Sequence, residues 1–187
     1  MLKSRVIRLS AGCETITVVD MGERAIGFAP QVTPQTRVLI LGSLPGVASL
    51  AAGQYYAHPQ NAFWRIMGDL IGGDITALPY EARLEAIKAE GFGLWDVLAS
   101  AERAGSLDAA IRSPEAADLL GLISGLPRLQ VVAFNGAKSA KIGRRILQGR
   151  IGAVRLVDLP SSSPAHARPW AQKAEQWRDR LGLQSGT

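Results

Sequence analysis

The chain has 187 residues, of which 47% are hydrophobic and 20% are charged, and its formal net charge is +5. This length suits one globular domain with a full core, and no apolar run is long enough to span a bilayer. The N-terminal residues do not have the pattern of a signal peptide, and one cysteine with two histidines argues against a disulfide or a structural zinc site. We therefore expect a cytoplasmic protein. The positive charge favours a polyanion such as nucleic acid as the partner, with an ordinary basic enzyme as the alternative.

Two strand-like runs, Val6–Leu9 and Thr15–Val19, predict a β extension over residues 1–29, ahead of a main domain over residues 30–187. Further strands are predicted at 38–41, 129–134 and 154–159. Residues 92–98 suggest a short strand or turn, and residues 99–113 a polar connector. The segments that predict helices are 63–71, 79–90, 114–124, the basic stretch from Lys138 to Arg145, and 169–181.

Each of the three main-domain strands ends in a loop rich in Gly, Ser, Asn or Pro, and helices lie between them. This order predicts an α/β fold, a three-layer α/β/α sandwich with a mainly parallel central sheet. Because parallel strands have their carboxyl ends on one edge of the sheet, the loops at 42–64, 134–138 and 160–166 should share a cleft.

The predicted cleft contains aromatic rings, carboxamides, serines and histidines. It has no cluster of acids for a metal, no phosphate-binding loop, and no nucleophile flanked by a base and an orienting acid. The chemistry should therefore need no metal or cofactor, only stacking, carboxamide hydrogen bonds and a positioned water.

Four segments in this order resemble the uracil-DNA glycosylase superfamily, above all its hypoxanthine (deoxyinosine) DNA glycosylase branch. They are GSLPG (42–46), GQYYAHPQNAFW (53–64), FNG (134–136) and LPSSSPAHA (159–167). The resemblance covers about residues 36–180 and implies a uracil-DNA-glycosylase-like fold. It further implies a monomeric, monofunctional DNA glycosylase that everts a deaminated base and hydrolyses its N-glycosidic bond without a metal, in base excision repair. The substrate would be DNA containing hypoxanthine, or uracil or xanthine.

The resemblance also implies roles for individual residues. Asn61 would orient the attacking water, and Tyr56 would stack on the everted base. Asn135 would pair with the base edge, because a carboxamide matches the adjacent N–H and C=O groups of uracil and hypoxanthine but not the reversed pair of adenine. Structural roles are the alternatives: a helix cap for either asparagine and a core ring for Tyr56.

The remaining predicted site residues fall into two groups. Base-binding residues would also include Gly42, Ser43, Gly46 and His58, the last of these more as a support of the loop. Residues near the DNA phosphates would be Ser161, Ser162, Ser163, His166 and Lys138.

The sequence departs from the wider superfamily at three positions. Leu44 and Leu159 stand where many members have polar residues that orient the water or stabilise the leaving base. Ser163 stands where a larger side chain often fills the vacated base stack. Asp96 is interpreted as a buried structural carboxylate, with water activation as the alternative. The other functions considered are a G:T/G:U mismatch-specific uracil/thymine glycosylase, a catalytically inactive DNA-binding member of the superfamily, and an unrelated α/β hydrolase.

Overall fold

The computed structural model describes residues 24–103 and 111–183. The strands in these ranges are β1 (Arg24–Ile26), β2 (Val38–Gly42), β3 (Phe92–Asp96), β4 (Leu98–Arg103), β5 (Ile111–Ala116), β6 (Val131–Asn135) and β7 (Arg155–Leu159). The helices are α1 (Val47–Ala52), α2 (Phe63–Leu70), α3 (Tyr80–Ala89), α4 (Leu119–Ser124), α5 (Ala137–Leu147) and α6 (Trp170–Leu181).

The central sheet has the strand order β3-β2-β6-β7, and every pair in it is parallel. Gly42 lies opposite Asp96 in the register, and Asn135 lies opposite Leu159. The four strands therefore end at the same edge, which confirms the predicted common edge. Residues 92–96, within the segment predicted as a short strand or turn, form the strand that pairs with β2.

Both faces of this sheet are covered, as the alternation of its side chains requires. Ile40 belongs to a core with α2, α3 and α6, in which Phe63 and Trp177 are fully buried. Leu39 and Leu41 face the opposite core, which contains α4 and α5. These layers confirm the predicted α/β/α sandwich.

A second sheet of three antiparallel strands has the order β1-β4-β5. It corrects two predictions: residues 99–113 are not simply a connector, and the helix predicted over 114–124 is shorter. Pro114 lies in β5, which pairs only with β4 and so tolerates a residue without an N–H. Helix α4 begins after Asp118, whose carboxylate accepts a hydrogen bond from the Gly121 N–H.

The predicted strands Val6–Leu9 and Thr15–Val19 lie outside the described residues, so the boundary of the extension at residue 29 stays a prediction. The nearest described strand, β1, pairs with β4. Among the residues that the structure describes, no helix has the length and apolar character needed to cross a membrane.

Candidate active site

The three loops that follow β2, β6 and β7 enclose a cavity of about 550 Å³ at the carboxyl edge of the central sheet. This volume lies within the range of roughly 300–1,000 Å³ that is usual for small-ligand sites. The shared cleft predicted from the sequence is thus present. The predicted site residues that line it are Gly42, Ser43, Gly46, Tyr56, His58, Asn61, Asn135, Ser161, Ser162, Ser163 and His166.

The floor of the cavity depends on a glycine at the end of β2. A β-carbon at Gly42 would collide with Asp96 Oδ1 and would lie 3.2 Å from the Tyr56 hydroxyl oxygen. Only a glycine therefore lets a carboxylate and a phenol approach this strand end together. Asp96 is 4% exposed and lines the cavity, so the buried carboxylate expected from the sequence lies at the candidate site itself.

Tyr56 combines an uncommon backbone conformation with tight packing. Its φ angle is +55°, in the left-handed region that a bulky residue rarely adopts. Its ring stacks on Phe63 with centroids 3.7 Å apart and planes 13° apart, and it also lines the cavity. Burial and the charge of Asp96 raise the pKa of its hydroxyl, and the Asn135 amide offsets part of that rise. The hydroxyl therefore stays protonated at neutral pH.

Asn135 is held in one orientation by the loop that follows β7. The Ser162 N–H donates to Asn135 Oδ1 over 2.8 Å, and Asn135 Nδ2 donates to Ser162 Oγ over 2.9 Å. A backbone N–H can only donate, so the atom that faces it must be the amide oxygen. The carboxamide keeps one N–H and one oxygen lone pair beyond this bond pair, and Asn135 lines the cavity.

The turn after Asn135 makes this contact possible. Gly136 has a φ angle of +102°, and a β-carbon there would lie 3.1 Å from Ser161 Cβ. The Gly136 N–H also donates to the carbonyl of Leu159 at the end of β7. A glycine is thus needed to bring the FNG turn against residues 160–163 after β7, which we call the serine loop.

Asn61 makes the capping contact that the sequence raised as its structural alternative. Its Oδ1 accepts a hydrogen bond from the Phe63 N–H at 3.0 Å, at the start of α2. The side chain is half-buried and lines the cavity. Capping uses one lone pair, so the second lone pair and both amide hydrogens can still contact a ligand. Capping and a role in catalysis are therefore compatible.

The serine loop is held by three carbonyl groups. The Trp177 indole N–H donates to Pro160 O at 2.8 Å, the Ala62 N–H to Ser162 O at 3.0 Å, and Lys173 Nζ to Ser163 O at 3.1 Å. These donors come from α6 and from the residue that precedes α2. The loop is thus fixed to both helices that flank the cavity.

The predicted phosphate-contact residues have different surroundings. Ser162 is 1% exposed and uses its hydroxyl to bond Asn135, whereas Ser161 and Ser163 are half-buried at the cavity. Lys138 is not among the residues that line the cavity. Farther along the same helix, Arg144 forms an ion pair with Asp158, with a distance of 2.8 Å between Nε and Oδ1.

The two histidines also differ. His58 is exposed, and its Nδ1 accepts a hydrogen bond from the Gln60 N–H at 3.2 Å, so it supports its own loop. His166 has a buried Nε2 that finds no hydrogen-bond partner in the described part of the chain. Burial, with the charges of Lys173 and Arg168, lowers the pKa of His166, so its ring is neutral at pH 7.

The electrostatic character of the cavity is largely neutral. Asp96 is its only acidic residue and no lysine or arginine lines it, as far as the described residues go. In residues 24–103 and 111–183, no group of three or more His, Cys, Asp or Glu side chains could hold a metal ion.

Sequence reasoning missed Ser49, whose buried hydroxyl accepts from the Ala57 N–H. A serine inside a loop that forms an unpredicted helix gave no recognisable signal.

Known proteins similar to this chain lead to the same family. The family described as the uracil DNA glycosylase superfamily matches residues 29–181. Two relatives named hypoxanthine DNA glycosylase, from Methanosarcina barkeri and Methanosarcina acetivorans, are 39% and 37% identical to this chain. The matches cover 82% and 81% of this chain and 95% and 94% of the relatives.

A solved structure is similar as well. It is the solution NMR structure of a candidate uracil DNA glycosylase from Methanosarcina acetivorans, with a TM-score of 0.75 and 36% identity. The similarity covers 84% of this chain and 96% of that chain. The chain belongs to the uracil DNA glycosylase superfamily, and it is an enzyme that hydrolyses an N-glycosidic bond in DNA.

Proposed function

We propose that this enzyme excises hypoxanthine from deoxyinosine in DNA, as the first step of base excision repair. The observation that carries the proposal is the fixed orientation of the Asn135 amide beside the Tyr56 ring. The names of the two relatives that match over nearly their whole length agree with this substrate.

The base would be recognised by its polar edge and its flat face. The remaining N–H of Asn135 can donate to O6 of hypoxanthine, whereas adenine presents an amino donor at this position. Tyr56, backed by Phe63, offers an aromatic surface for stacking, which is worth about 1–3 kcal/mol per base. That gain offsets the cost of unstacking the nucleotide, which is on the order of a few kcal/mol.

Hydrolysis would use a water that Asn61 orients. The water oxygen forms a bond to C1′ while the bond from C1′ to N9 breaks and its electron pair leaves with the base. The water thereby supplies the new sugar hydroxyl and one proton, so the products are hypoxanthine and an abasic site. Asp96, buried in the same cavity, supplies negative charge that favours the positively charged sugar of the transition state.

The proposed enzyme is monofunctional and acts as a monomer. No lysine lines the cavity within the described residues, so a Schiff base with the sugar is not expected. The three loops that form the cavity all belong to one chain. Borohydride should therefore trap no covalent adduct between the protein and inosine-containing DNA.

A second candidate is a mismatch-specific uracil or thymine glycosylase, because the remaining N–H of Asn135 can also donate to O4 of a pyrimidine. Duplexes that contain a single inosine, uracil, thymine or xanthine opposite each normal base separate the two. The protein is incubated with each duplex, and alkali then cleaves any abasic site. Product from inosine is expected. Product from uracil or thymine with none from inosine would replace the proposal by the second candidate.

A further inference from the structure

A second cavity, of about 340 Å³, lies beside the first and shares Asn61, Pro164 and His166 with it. Its outer wall is formed by Arg65 of α2 and by the residues around the start of α6. We call this cavity the basic groove.

The groove has a different charge from the cavity that holds Asp96. Arg65, Arg168 and Lys173 line it, and it contains no acidic residue among those the structure describes. Arg65 and Arg168 are exposed, and neither forms an ion pair with any described residue. Asp74 lies near enough to Arg65 for their charges to interact, but it does not line the groove, and three cations there favour a polyanion.

Two buried polar groups in its wall also indicate a ligand. Lys173 is 2% exposed, and its ammonium group donates to the carbonyl of Ser163, which leaves two donors. A buried ammonium is costly unless an anion or further acceptors compensate it. The buried His166 Nε2 likewise finds no hydrogen-bond partner in the described part of the chain. A phosphate oxygen in the groove would provide an acceptor for the ammonium group, and for Nε2 in the His166 tautomer that carries its proton there.

An aromatic surface borders the same groove. Trp170, the first residue of α6, is 40% exposed although tryptophan is mostly buried in folded proteins. Its helix neighbours Ala174 and Trp177 are buried in the core, so the exposure is particular to this ring. An exposed indole next to cations is the combination that binds unstacked nucleotides.

We propose that the basic groove binds the nucleotide next to the everted one, with its phosphate near Arg65, Arg168 and Lys173 and its base against Trp170. The proposal rests on the proposed function, because it places the everted base in the first cavity. The two cavities share Asn61, Pro164 and His166, so one strand could run from the first cavity into the second.

The test measures the binding of the full chain to a duplex with a tetrahydrofuran abasic analogue, which requires no excision. Each linkage on either side of the analogue is replaced in turn by an uncharged methylphosphonate. We expect Arg168→Ala and Arg65→Ala each to weaken binding about tenfold and to reduce the salt slope by about one. At the linkage that the groove holds, the methylphosphonate should weaken wild-type binding similarly but should not weaken these variants further.

The matched control is Arg128→Ala, because Arg128 is also exposed but lies near the amino end of β6, at the opposite edge of the sheet. Its binding should stay within about twofold of wild type. If the groove variants bind as tightly as this control, the groove does not hold a phosphate. The same conclusion follows if, at every linkage, the loss of affinity from the variant and the loss from the methylphosphonate are independent and multiply. A wild type that still excises inosine in that case would leave the proposed function intact. A wild type that neither excises inosine nor binds the analogue would end both proposals.

Trp170 is tested by a pair of variants. Trp170→Ala should weaken binding about tenfold, whereas Trp170→Phe should retain most of it because a flat ring remains. Removal of the neighbouring base from the DNA should abolish the difference between wild type and Trp170→Ala. An equal loss with and without that base would contradict the stacking assignment.

Discussion

The two adjacent cavities differ in almost every property except their shared wall. The larger one is lined by rings, amides and hydroxyls, with Asp96 as its acid, and its amide Asn135 is fixed by the N–H and the hydroxyl of Ser162. The basic groove is lined by cations and an exposed indole. The difference teaches that aromatic and amide groups suited to a base, and cations suited to a strand, can be divided between two neighbouring cavities. Each part can then be changed without the other.

The largest expected effect is at Asn61, which lines both cavities. Asn61→Ala and Asn61→Ser should lower the single-turnover rate of inosine excision at least about 100-fold, or about 2.7 kcal/mol, because neither residue has a carboxamide to orient the water. Serine can still cap α2, so its variant separates catalysis from helix stability.

Binding to the tetrahydrofuran duplex should change little in the Asn61→Ser variant, which would assign the residue to chemistry and not to the basic groove. Asp96→Asn provides the comparison, and we expect a smaller loss of rate from it. If a folded Asn61 variant loses less than about tenfold, or if Asp96→Asn loses more, water activation belongs to Asp96 instead.

Gly42→Ala should damage the base cavity alone. The added methyl group collides with Asp96 Oδ1 and crowds the Tyr56 hydroxyl, so we expect about a 30-fold loss of excision and a destabilisation of about 1–3 kcal/mol. Gly73→Ala is the matched control, because a β-carbon there meets no atom within 4 Å and its φ angle is not positive. Equal excision rates for the two variants would show that the floor of the cavity adjusts to a β-carbon at residue 42 without loss of activity. The excision rate measures the first effect, and thermal unfolding measures the loss of stability.

Asn135→Asp should lower inosine excision about tenfold while the fold is kept. Aspartate can still accept from the Ser162 N–H, but it cannot donate to O6 of the base. Asn135→Ala should instead cost about 1–3 kcal/mol of stability, because the buried Ser162 N–H loses its partner. Full activity in the aspartate variant would mean that Asn135 only holds the loop.

The smallest effect concerns His166, in the wall between the cavities. Its pKa is lower in the folded state than the ordinary value of about 6.5, so the unfolded chain binds the proton more tightly. Protonation therefore reduces stability as the pH falls from about 6.5 through the folded pKa. His166→Gln should make the decline in Tm between pH 7 and pH 5 shallower, by on the order of 1 °C. Parallel curves for the two proteins would contradict this assignment.

Much of the fold could be predicted because its signals are local. The apolar runs at 38–41 and 129–134 form buried parallel strands, and the loops that follow them meet as expected. The β4–β5 hairpin was missed because exposed edge strands such as β5 do not alternate apolar and polar residues. Pro114 also resembled the start of a helix, whereas it lies in an edge strand that pairs on one side only.

The candidate site was predictable only in part, for a related reason. Segment order pointed to Asn61, Tyr56 and Asn135, but the hydrogen bonds that fix Asn135 come from Ser162, which is distant in sequence. The basic groove gave no sequence signal, because Arg65 lies in α2 and Arg168 lies in the loop before α6, far apart in the sequence. Lys173 in α6 is buried, whereas a lysine in a sequence usually predicts an exposed position.

The bond from the Ser162 N–H to Asn135 has a consequence for how substrate choice can drift over evolutionary time. The polarity of the amide is dictated by a hydrogen of the main chain, which every amino acid except proline provides. Replacement of the serine hydroxyl would loosen the amide but would not turn it around. To reverse the amide while keeping Asn135 would therefore demand a new path of the main chain at residue 162, and a change of the serine to another residue with a main-chain N–H would not suffice.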